Sequence, residues 1–181
     1  ISFFLTVVLG IFLAVFLWCS DSAAEVSEPF LVVLNSLPKS ALAPLLIVWM
    51  GANQKTIIVA GISVAIFGTI LNLYAGFRES SREKMRLIYT LGGKKYHVLT
   101  KVVLPGNIPS IISIMKVDIG LCLVGVIIGE FMGARCGLGY LIIYGSQVFK
   151  LTWVLMSILI LCIIAMVMYG ILNIIDKRVL K

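Results

Sequence analysis

Charged residues are scarce in this chain of 181 residues, at 13% of the sequence. A soluble domain carries roughly twice that fraction, so the composition excludes an ordinary soluble protein. Histidine is rarer still, since His97 is the only one. Without a second histidine or clustered carboxylates it cannot form a familiar metal site or catalytic triad. We therefore expect no enzymatic activity, no metal and no cofactor.

Cysteine pairs and phosphate-binding loops are also missing. The four cysteines contain no C-x-x-C pair, so they are expected to be small buried hydrophobic residues rather than a disulfide framework. The run from Leu91 to Lys95 lacks the leading glycine and the hydroxyl residue of a phosphate-binding loop, and Gly137 to Gly139 lacks the third glycine of a dinucleotide-binding turn. Nucleotide binding by this chain is not expected.

Long apolar runs dominate the sequence, which is 61% hydrophobic. A membrane-spanning helix needs about 20 mostly apolar residues, and five stretches qualify. They predict an all-α, polytopic transmembrane bundle that forms a single domain over residues 1–181. Because the chain begins inside an apolar run without methionine, a further preceding span is expected, which makes six. The predicted spans are Ile1–Ser20, Pro29–Gly51, Thr56–Phe77, Ile108–Met132 and Leu151–Ile175.

Positive charge is concentrated between two of these spans. Seven of the fifteen Lys and Arg residues lie between Arg78 and Lys101. Basic loops face the cytoplasm, which places this stretch and the tail from Asp176 to Lys181 on the inner side. The net charge of +7 follows from these loops, and without aromatic-interleaved basic patches no nucleic-acid partner is expected. By alternation, residues 21–28 are cytoplasmic and residues 51–55 external.

The basic segment (residues 78–105) begins with the signals of a short helix. Ser80 and Glu83 have the spacing of a capping box, so a helix is predicted to begin near Ser80. Gly92 and Gly93 suit its C-terminus, since glycine takes the left-handed conformation without penalty. The alternative is a solvated loop whose charges only set the topology, but a capped helix and a glycine hinge are more order than that requires.

A second short helix is predicted over Lys94–Leu104. Pro105 is expected to end it, because proline has no N–H to continue the helical hydrogen bonds. Tyr96, Leu99 and Val103 would form its apolar face, with Lys94, Lys95 and Lys101 available to solvent.

This basic segment resembles the cytoplasmic loop of the membrane-spanning permease subunits of bacterial ATP-binding-cassette importers. Their signature, before the penultimate span, is E-A-A, three residues, G, nine residues, and I-x-L-P. Its last four defined positions are matched, with the spacing intact, by Gly92, Val102, Leu104 and Pro105. The E-A-A half has diverged and reads Arg86-Leu87-Ile88.

Two further stretches resemble the nitrate, sulfonate and taurine branch of that family. The first runs from Pro38 to Gly51 as P-x-x-A-L-x-P-L-x-I-x-W-x-G, with Met50 in place of the usual aromatic residue. The second runs from Gly129 to Ile142 as G-E-x-x-G-A-x-x-G-L-G-Y-L-I. With the basic segment between them, these stretches cover most of the chain from residue 38 to residue 142.

The resemblance implies a transport subunit of the bacterial cytoplasmic membrane that draws its energy from another chain. The expected partners are a cytoplasmic ATPase dimer, a second permease subunit that is a further copy of this chain, an extracytoplasmic solute-binding protein and the lipid bilayer. Closure of the ATPase would move the spans between inward- and outward-facing states. The implied roles are the hinge for Gly92, packing for Tyr96, Leu99 and Leu104, and polar contact with the ATPase for Arg86, Lys94 and Lys95.

Polar residues inside the spans are the other candidate sites, because ionisable groups at membrane depth are costly and usually functional. We regard Asn72, Asp118 and Glu130 as candidates for the solute pathway or its gate. An alternative for Glu130 is a hydrogen bond to the glycine-rich turn that follows it, and an alternative for Asn72 is a bond to a neighbouring helix. Lys116 lies close enough to Pro109 to extend toward the lipid headgroups.

Glycine recurs every four residues at Gly125, Gly129, Gly133 and Gly137. Small residues at this spacing allow helix backbones to approach closely in lipid. The repeat fits packing within the chain or a seam between two copies.

Three other classes of membrane protein fit the sequence less well than a permease. A secondary transporter often has an inverted repeat, and residues 1–77 show no similarity to residues 108–181. A membrane-embedded hydrolase needs paired carboxylates or a nucleophile with its base, which the spans lack. A structural scaffold leaves the basic segment without a purpose. The solute is not readable, and the candidates are a sulfonate-, taurine- or nitrate-like molecule or a vitamin precursor.

Overall fold

The computed structural model describes residues 1–179, which form helices joined by short turns and contain no strand. The predicted all-α class is confirmed. The helices are α1 (Ser2–Cys19), α2 (Asp21–Ser36), α3 (Lys39–Met50), α4 (Gln54–Arg78), α5 (Arg82–Thr90), α6 (Lys95–Val98), α7 (Leu104–Gly106), α8 (Ile108–Gly133), α9 (Leu138–Gln147) and α10 (Leu151–Val179), with a π-helical turn over Leu99–Val103 between α6 and α7.

Within the described residues, α1, α4, α8 and α10 are long and apolar enough to cross a membrane, and the bent pair α2–α3 makes a fifth span if it is counted as one. These elements match the five predicted spans in order. The span predicted over Pro29–Gly51 is not one straight helix, however, because α2 and α3 meet at a bend of 95°. Leu37 precedes Pro38 and is driven into an extended conformation, with ψ at 142°, which breaks the helix.

The segment before that span is also helical. Residues 21–28 were predicted to be a cytoplasmic loop, but α2 begins at Asp21. Ser20 caps it, since its hydroxyl oxygen accepts a hydrogen bond from the N–H of Ala23 at 3.4 Å. Ser20 is the last residue of the first predicted span, and hydrophobicity alone does not indicate that it caps a following helix.

Helix α4 lies at the centre of the bundle, between α1 and α8. Gly61 faces Ser2 and Thr69 faces Gly10, so α1 runs parallel to α4. A Cβ atom on Gly125 would lie 2.8 Å from the Cα atom of Gly61, which shows that α8 and α4 touch through their backbones. Such close approach requires glycine at the crossing and gives the helices extensive van der Waals contact in lipid.

The glycine repeat of α8 thus packs against α4 at two of its positions. Gly125 contacts α4 at Gly61, and a Cβ atom on Gly129 would lie 3.2 Å from the Cα atom of Ile57. Because residues later in α8 meet residues earlier in α4, the two helices are antiparallel.

Both basic stretches lie at one end of the bundle. Asn107, just before α8, donates a hydrogen bond to the hydroxyl of Ser80, just after α4, at 2.8 Å. Asp176, near the end of α10, forms an ion pair with Lys116, in the first half of α8. This geometry agrees with the parity argued from the charges, while the membrane side of that end stays a prediction. Lys181 lies outside the described residues.

Helix α9 was not predicted, and it packs on α10. The rings of Tyr140 and Tyr144 stack at 5.8 Å between centroids, and Tyr144 stacks on Trp153 at 6.0 Å. α10 lies at the edge of the bundle and is largely exposed. The expectation of buried cysteines is correct for Cys122 alone, since Cys19, Cys136 and Cys162 are exposed.

Candidate functional site

The first helix of the basic segment begins one residue later than predicted. Ser81, not Ser80, caps α5, because its hydroxyl oxygen accepts a hydrogen bond from the N–H of Lys84 at 3.4 Å. Ser80 instead accepts the hydrogen bond from Asn107. The two consecutive serines therefore have separate roles. Ser81 caps α5, and Ser80 joins the start of the basic segment to Asn107, which follows the end of that segment.

Gly92 has the backbone conformation of a hinge, with φ at +78°. The N–H of Gly92 donates to the carbonyl of Tyr89 at 3.0 Å, and that of Gly93 donates to the carbonyl of Ile88 at 2.9 Å, so the turn satisfies the last carbonyls of α5. A side chain at Gly92 would meet nothing within 4 Å, but a Cβ atom on Gly93 would lie 2.7 Å from the carbonyl oxygen of Ile88. Position 92 requires glycine because its φ angle is positive, and position 93 requires glycine because a side chain there would clash with Ile88.

Pro105 does not end the second helix, which is a correction to the sequence-based prediction. The helix continues through α7 to Gly106, and Asn107 breaks it. The N–H of Leu104 donates to the carbonyl of Leu99, five residues earlier, which is the π-helical pattern. This wider turn directly before Pro105 relieves the clash that a proline ring makes with the preceding turn of an α-helix.

The buried face of the second helix differs from the predicted one. Val98 and Val103 are fully buried and Leu99 nearly so, within a cluster that includes Phe77 at the end of α4. Tyr96 was predicted to pack there, but 69% of its surface is exposed. The π-helical turn shifts the register of the helix, so a strict 3.6-residue period selects the wrong residue.

The remaining matched residues of the motif lie around this buried face. Leu104 is half-buried against the same cluster, and Val102 is half-buried as well. Pro105 is exposed.

Lys95 is engaged within the chain. Its ammonium group donates a hydrogen bond to the carbonyl of Cys19 at 3.0 Å, lies 5.5 Å from the centre of the Trp18 ring, and is 3.9 Å from the carboxylate of Asp21. Lys94, by contrast, is exposed, and its backbone N–H is satisfied by Nδ1 of His97 at 3.1 Å. Lys95 thus has partners within this chain, and its contact with an ATPase stays a prediction.

Two exposed apolar side chains lie on α5 and on the residue that caps its C-terminus. Leu87 and Leu91, four residues apart on one face, are 59% and 75% exposed, and we call these two residues the apolar patch. Arg86 and Lys94 are exposed close to it in the sequence. Exposed apolar residues rimmed by charge are typical of a protein-binding surface.

Inside the bundle, Asp118 is buried and bonded to α4. The Thr69 hydroxyl lies 2.9 and 3.0 Å from its two carboxylate oxygens. Asn72 is exposed, and none of the described residues of this chain forms a hydrogen bond with its side chain, so both interpretations of Asn72 stay predictions. Both residues line a cavity of about 200 Å³ between α4 and α8.

Lys116 does not extend toward the lipid headgroups as predicted. Its ammonium group pairs with Asp176 and lies 5.7 Å from the centre of the Tyr169 ring, so it is held by α10. This pairing could not be predicted from local patterns, because the two residues are separated by 60 positions.

Glu130 holds the start of α9. Its carboxylate accepts a hydrogen bond from the N–H of Gly139, in the first turn of α9, at 2.6 Å. Gly137, which precedes the helix, has no side chain to act as a cap, so Glu130 supplies one from α8. A Cβ atom at Gly137 or Gly139 would lie 2.7 or 2.8 Å from this side chain. The hydrogen bond to the glycine-rich turn, which was one of the two interpretations of Glu130, is thus present.

The same carboxylate borders a cavity of about 620 Å³ at the end of the bundle opposite the basic segment. Ile57 of α4 and Arg135 of the turn after α8 are among its other lining residues. Among the described residues, no group of three or more His, Cys, Asp or Glu side chains could hold a metal ion.

One known protein family matches this chain. The family model described as "binding-protein-dependent transport system inner membrane component" matches residues 6–181. The chain is 29% identical over 136 residues to a formylaminopyrimidine transport permease protein of Halalkalibacterium halodurans. The aligned region covers 75% of this chain and 54% of that relative.

Two other relatives have different solutes in their names. The chain is 24% identical over 153 residues to a riboflavin transport system permease protein of Chloroflexus aurantiacus, covering 84% of this chain and 57% of the relative. It is 25% identical over 166 residues to a taurine transport system permease protein of Escherichia coli, covering 91% of this chain and 60% of the relative. The chain therefore spans little more than half the length of these relatives.

Proposed function

The chain belongs to the family of inner membrane components of binding-protein-dependent transport systems, and on that basis we propose that it is a permease subunit of an ATP-driven importer. The family resemblance drawn from the motif at Gly92 is confirmed, and the chain is a multi-pass protein of the inner membrane. Its relatives are named as permeases, and ATP hydrolysis is assigned here to a partner chain.

The observation that carries this proposal is the apolar patch on α5. Leu87 and Leu91 extend from a short capped helix at the basic end of the bundle, where lipid does not cover them if that end faces the cytoplasm. Arg86 and Lys94 add charge beside them. A groove on a cytoplasmic ATPase with an apolar floor and an acidic rim is the complementary surface.

Packed side chains connect the helix that carries this patch to the transmembrane bundle. Gly92 joins α5 to the second helix, and Val98 and Val103 of that helix are buried against Phe77 of α4. Because packed cores do not deform continuously, a displacement of the segment shifts α4 as a body. Coupling then requires that the ATPase binds the patch differently in its two nucleotide states.

The pathway would lie between this chain and a second copy, with solute delivered by a solute-binding protein. Asn72 and Asp118 border a cavity on α4 and α8, and Glu130 fixes α9 at the opposite end, where a gate toward that binding protein would lie. The relatives named for a pyrimidine, riboflavin and taurine support a small organic solute.

A photo-cross-linking amino acid at position 91 tests the docking role in native membranes. We expect cross-links to an ATP-binding-cassette ATPase, identified by mass spectrometry, because Leu91 is 75% exposed on the patch. The same amino acid at Val148, an exposed position between α9 and α10, is the control and should give none. Absence of the ATPase product at position 91, or equal yield at both positions, would contradict the proposal.

A further inference from the structure

Polar side chains point outward from two of the spans. Asn72 of α4 and Ser110 and Ser113 of α8 are all exposed. Hydrogen-bonding groups inside the hydrocarbon layer are costly when they face lipid, so this face borders water or another protein surface.

These residues line two adjoining cavities that share Ser110. One, of about 380 Å³, is bordered by Ser80 and Asn107 at the basic end of the bundle. The other, of about 200 Å³, lies deeper and is bordered by Asn72, Ser113 and Asp118. Together they form the polar groove, which leads from the basic end into the bundle and reaches the Asp118–Thr69 pair.

The carboxylate of Asp118 retains capacity to accept hydrogen bonds. Thr69 is its hydrogen-bond partner, and that hydroxyl also lies 2.9 Å from the carbonyl of Ala65, so its one proton is shared between them. An ionised carboxylate has about four acceptor positions. A donor entering the groove therefore finds an acceptor that residues 1–179 do not saturate.

The deep part of the polar groove holds no cation among the described residues. Lys116 lies on the same helix as Asp118 but is bound to Asp176 on α10, and Lys84 lines only the outer cavity, which Glu79 also lines. The nearest charge to a molecule in the deep cavity is therefore negative. An anion there would be repelled in a medium that screens charge poorly.

We propose that the polar groove binds the transported solute, and that this solute is an uncharged or cationic molecule with N–H or O–H donors rather than an anion such as nitrate or an alkyl sulfonate. The inference rests on the proposed permease function and narrows its substrate class. Asn72, Ser110 and Ser113 supply neutral hydrogen bonds, and Asp118 selects against negative charge.

Charged thiol reagents measure this selectivity without any partner. In the full chain with its native cysteines replaced by serine, Ser113→Cys is labelled with a cationic and an anionic methanethiosulfonate. Each rate is divided by the rate of the same reagent with a free thiol in solution. We expect the cationic reagent to react at least about tenfold faster, and Asp118→Asn to bring the ratio close to one.

Asp21→Asn is the matched control, since it removes an exposed carboxylate outside the groove and should leave the ratio unchanged. Asp118→Asn keeps the size of the side chain and an oxygen for Thr69, so folding should be retained. Equal rates in the parent, no reaction with either reagent, or the same change in Asp21→Asn would overturn the proposal.

Uptake by cells that contain the complete transporter tests the solute class. We expect no uptake of nitrate or ethanesulfonate that depends on this chain, and such uptake would overturn the proposal. The proposed permease function and the proposed charge selectivity of the polar groove can be contradicted independently. If position 91 cross-links to no ATPase while the cationic reagent still reacts faster, the permease function is contradicted and the charge selectivity is not.

Discussion

The ammonium group of Lys95 donates a hydrogen bond, 3.0 Å long, to the backbone carbonyl of Cys19, which is the last residue of α1. The last carbonyls of a helix have no partner within the helix, and Lys95 supplies one from 76 positions away. The ring of Trp18 lies 5.5 Å from the same ammonium group. The second helix of the basic segment is thus fastened to α1 as well as to α4.

Lys95→Met should therefore loosen the basic segment while leaving the spans in place. Methionine keeps a comparable stem but loses the donor, and a hydrogen bond from a charged group contributes roughly 1.5–3 kcal/mol. Backbone amides of residues 95–103 should exchange hydrogen about tenfold faster, as measured by mass spectrometry. Lys94→Met, at the exposed neighbouring position, should leave exchange unchanged, and equal effects of the two variants would contradict the role of Lys95.

Two glycines of α8 make a second, matched comparison. A Cβ atom on Gly125 would lie 2.8 Å from the carbonyl oxygen of Ala60, whereas one on Gly120 would meet nothing within 4 Å. Gly125→Ala must separate α8 from α4 and should destabilise the chain by about 1–3 kcal/mol. Gly120→Ala should leave it unchanged or stabilise it by up to ~1 kcal/mol, because alanine favours helix.

Thermal unfolding in detergent, followed by helical circular dichroism, measures the difference. The order of the two melting temperatures is the decisive quantity, since both substitutions add one methyl group to the same helix. A lower melting temperature for Gly120→Ala than for Gly125→Ala would show that α8 does not pack on α4 as described.

Features encoded in neighbouring residues could be predicted from the sequence. The apolar runs specify the spans, because length and hydrophobicity decide whether a helix crosses a membrane. Gly92 could be recognised as a hinge, since a helix that ends in two glycines favours a left-handed turn, and its φ angle of +78° agrees. The hydrogen bond that Glu130 accepts from the glycine-rich turn, one of its two interpretations, is similarly local.

Features that depend on distant partners or on irregular helix could not be predicted. The π-helical turn over Leu99–Val103 shifts the buried face, which leaves Tyr96 exposed and allows Pro105 to lie inside a helix. Lys95 and Lys116 were assigned to solvent or lipid headgroups because their partners, Cys19 and Asp176, are remote in the sequence. Hydrophobic periodicity reports on residues of the same helix and does not indicate contacts between residues so far apart in the sequence.

The pair formed by Lys116 and Asp176 provides the third comparison. Its side chains are only 15% and 17% exposed, and it joins α8 to α10, a helix with little other buried surface. Removing one partner of a buried pair leaves an uncompensated charge, which costs about 3–5 kcal/mol, whereas replacing both partners is often close to neutral. Lys116→Met and Asp176→Leu should each destabilise the chain more than the double variant does.

A double-mutant cycle on unfolding free energy measures that coupling, and the pair of Lys95 and Asp21 is its control. Those two groups are 3.9 Å apart, with side chains 44% and 96% exposed, so their coupling should be below ~1 kcal/mol. We expect the coupling of Lys116 with Asp176 to exceed it severalfold, because little water screens the buried pair. Additive effects in the Lys116 cycle would mean that α10 is held by its apolar contacts with α8 and α9 alone.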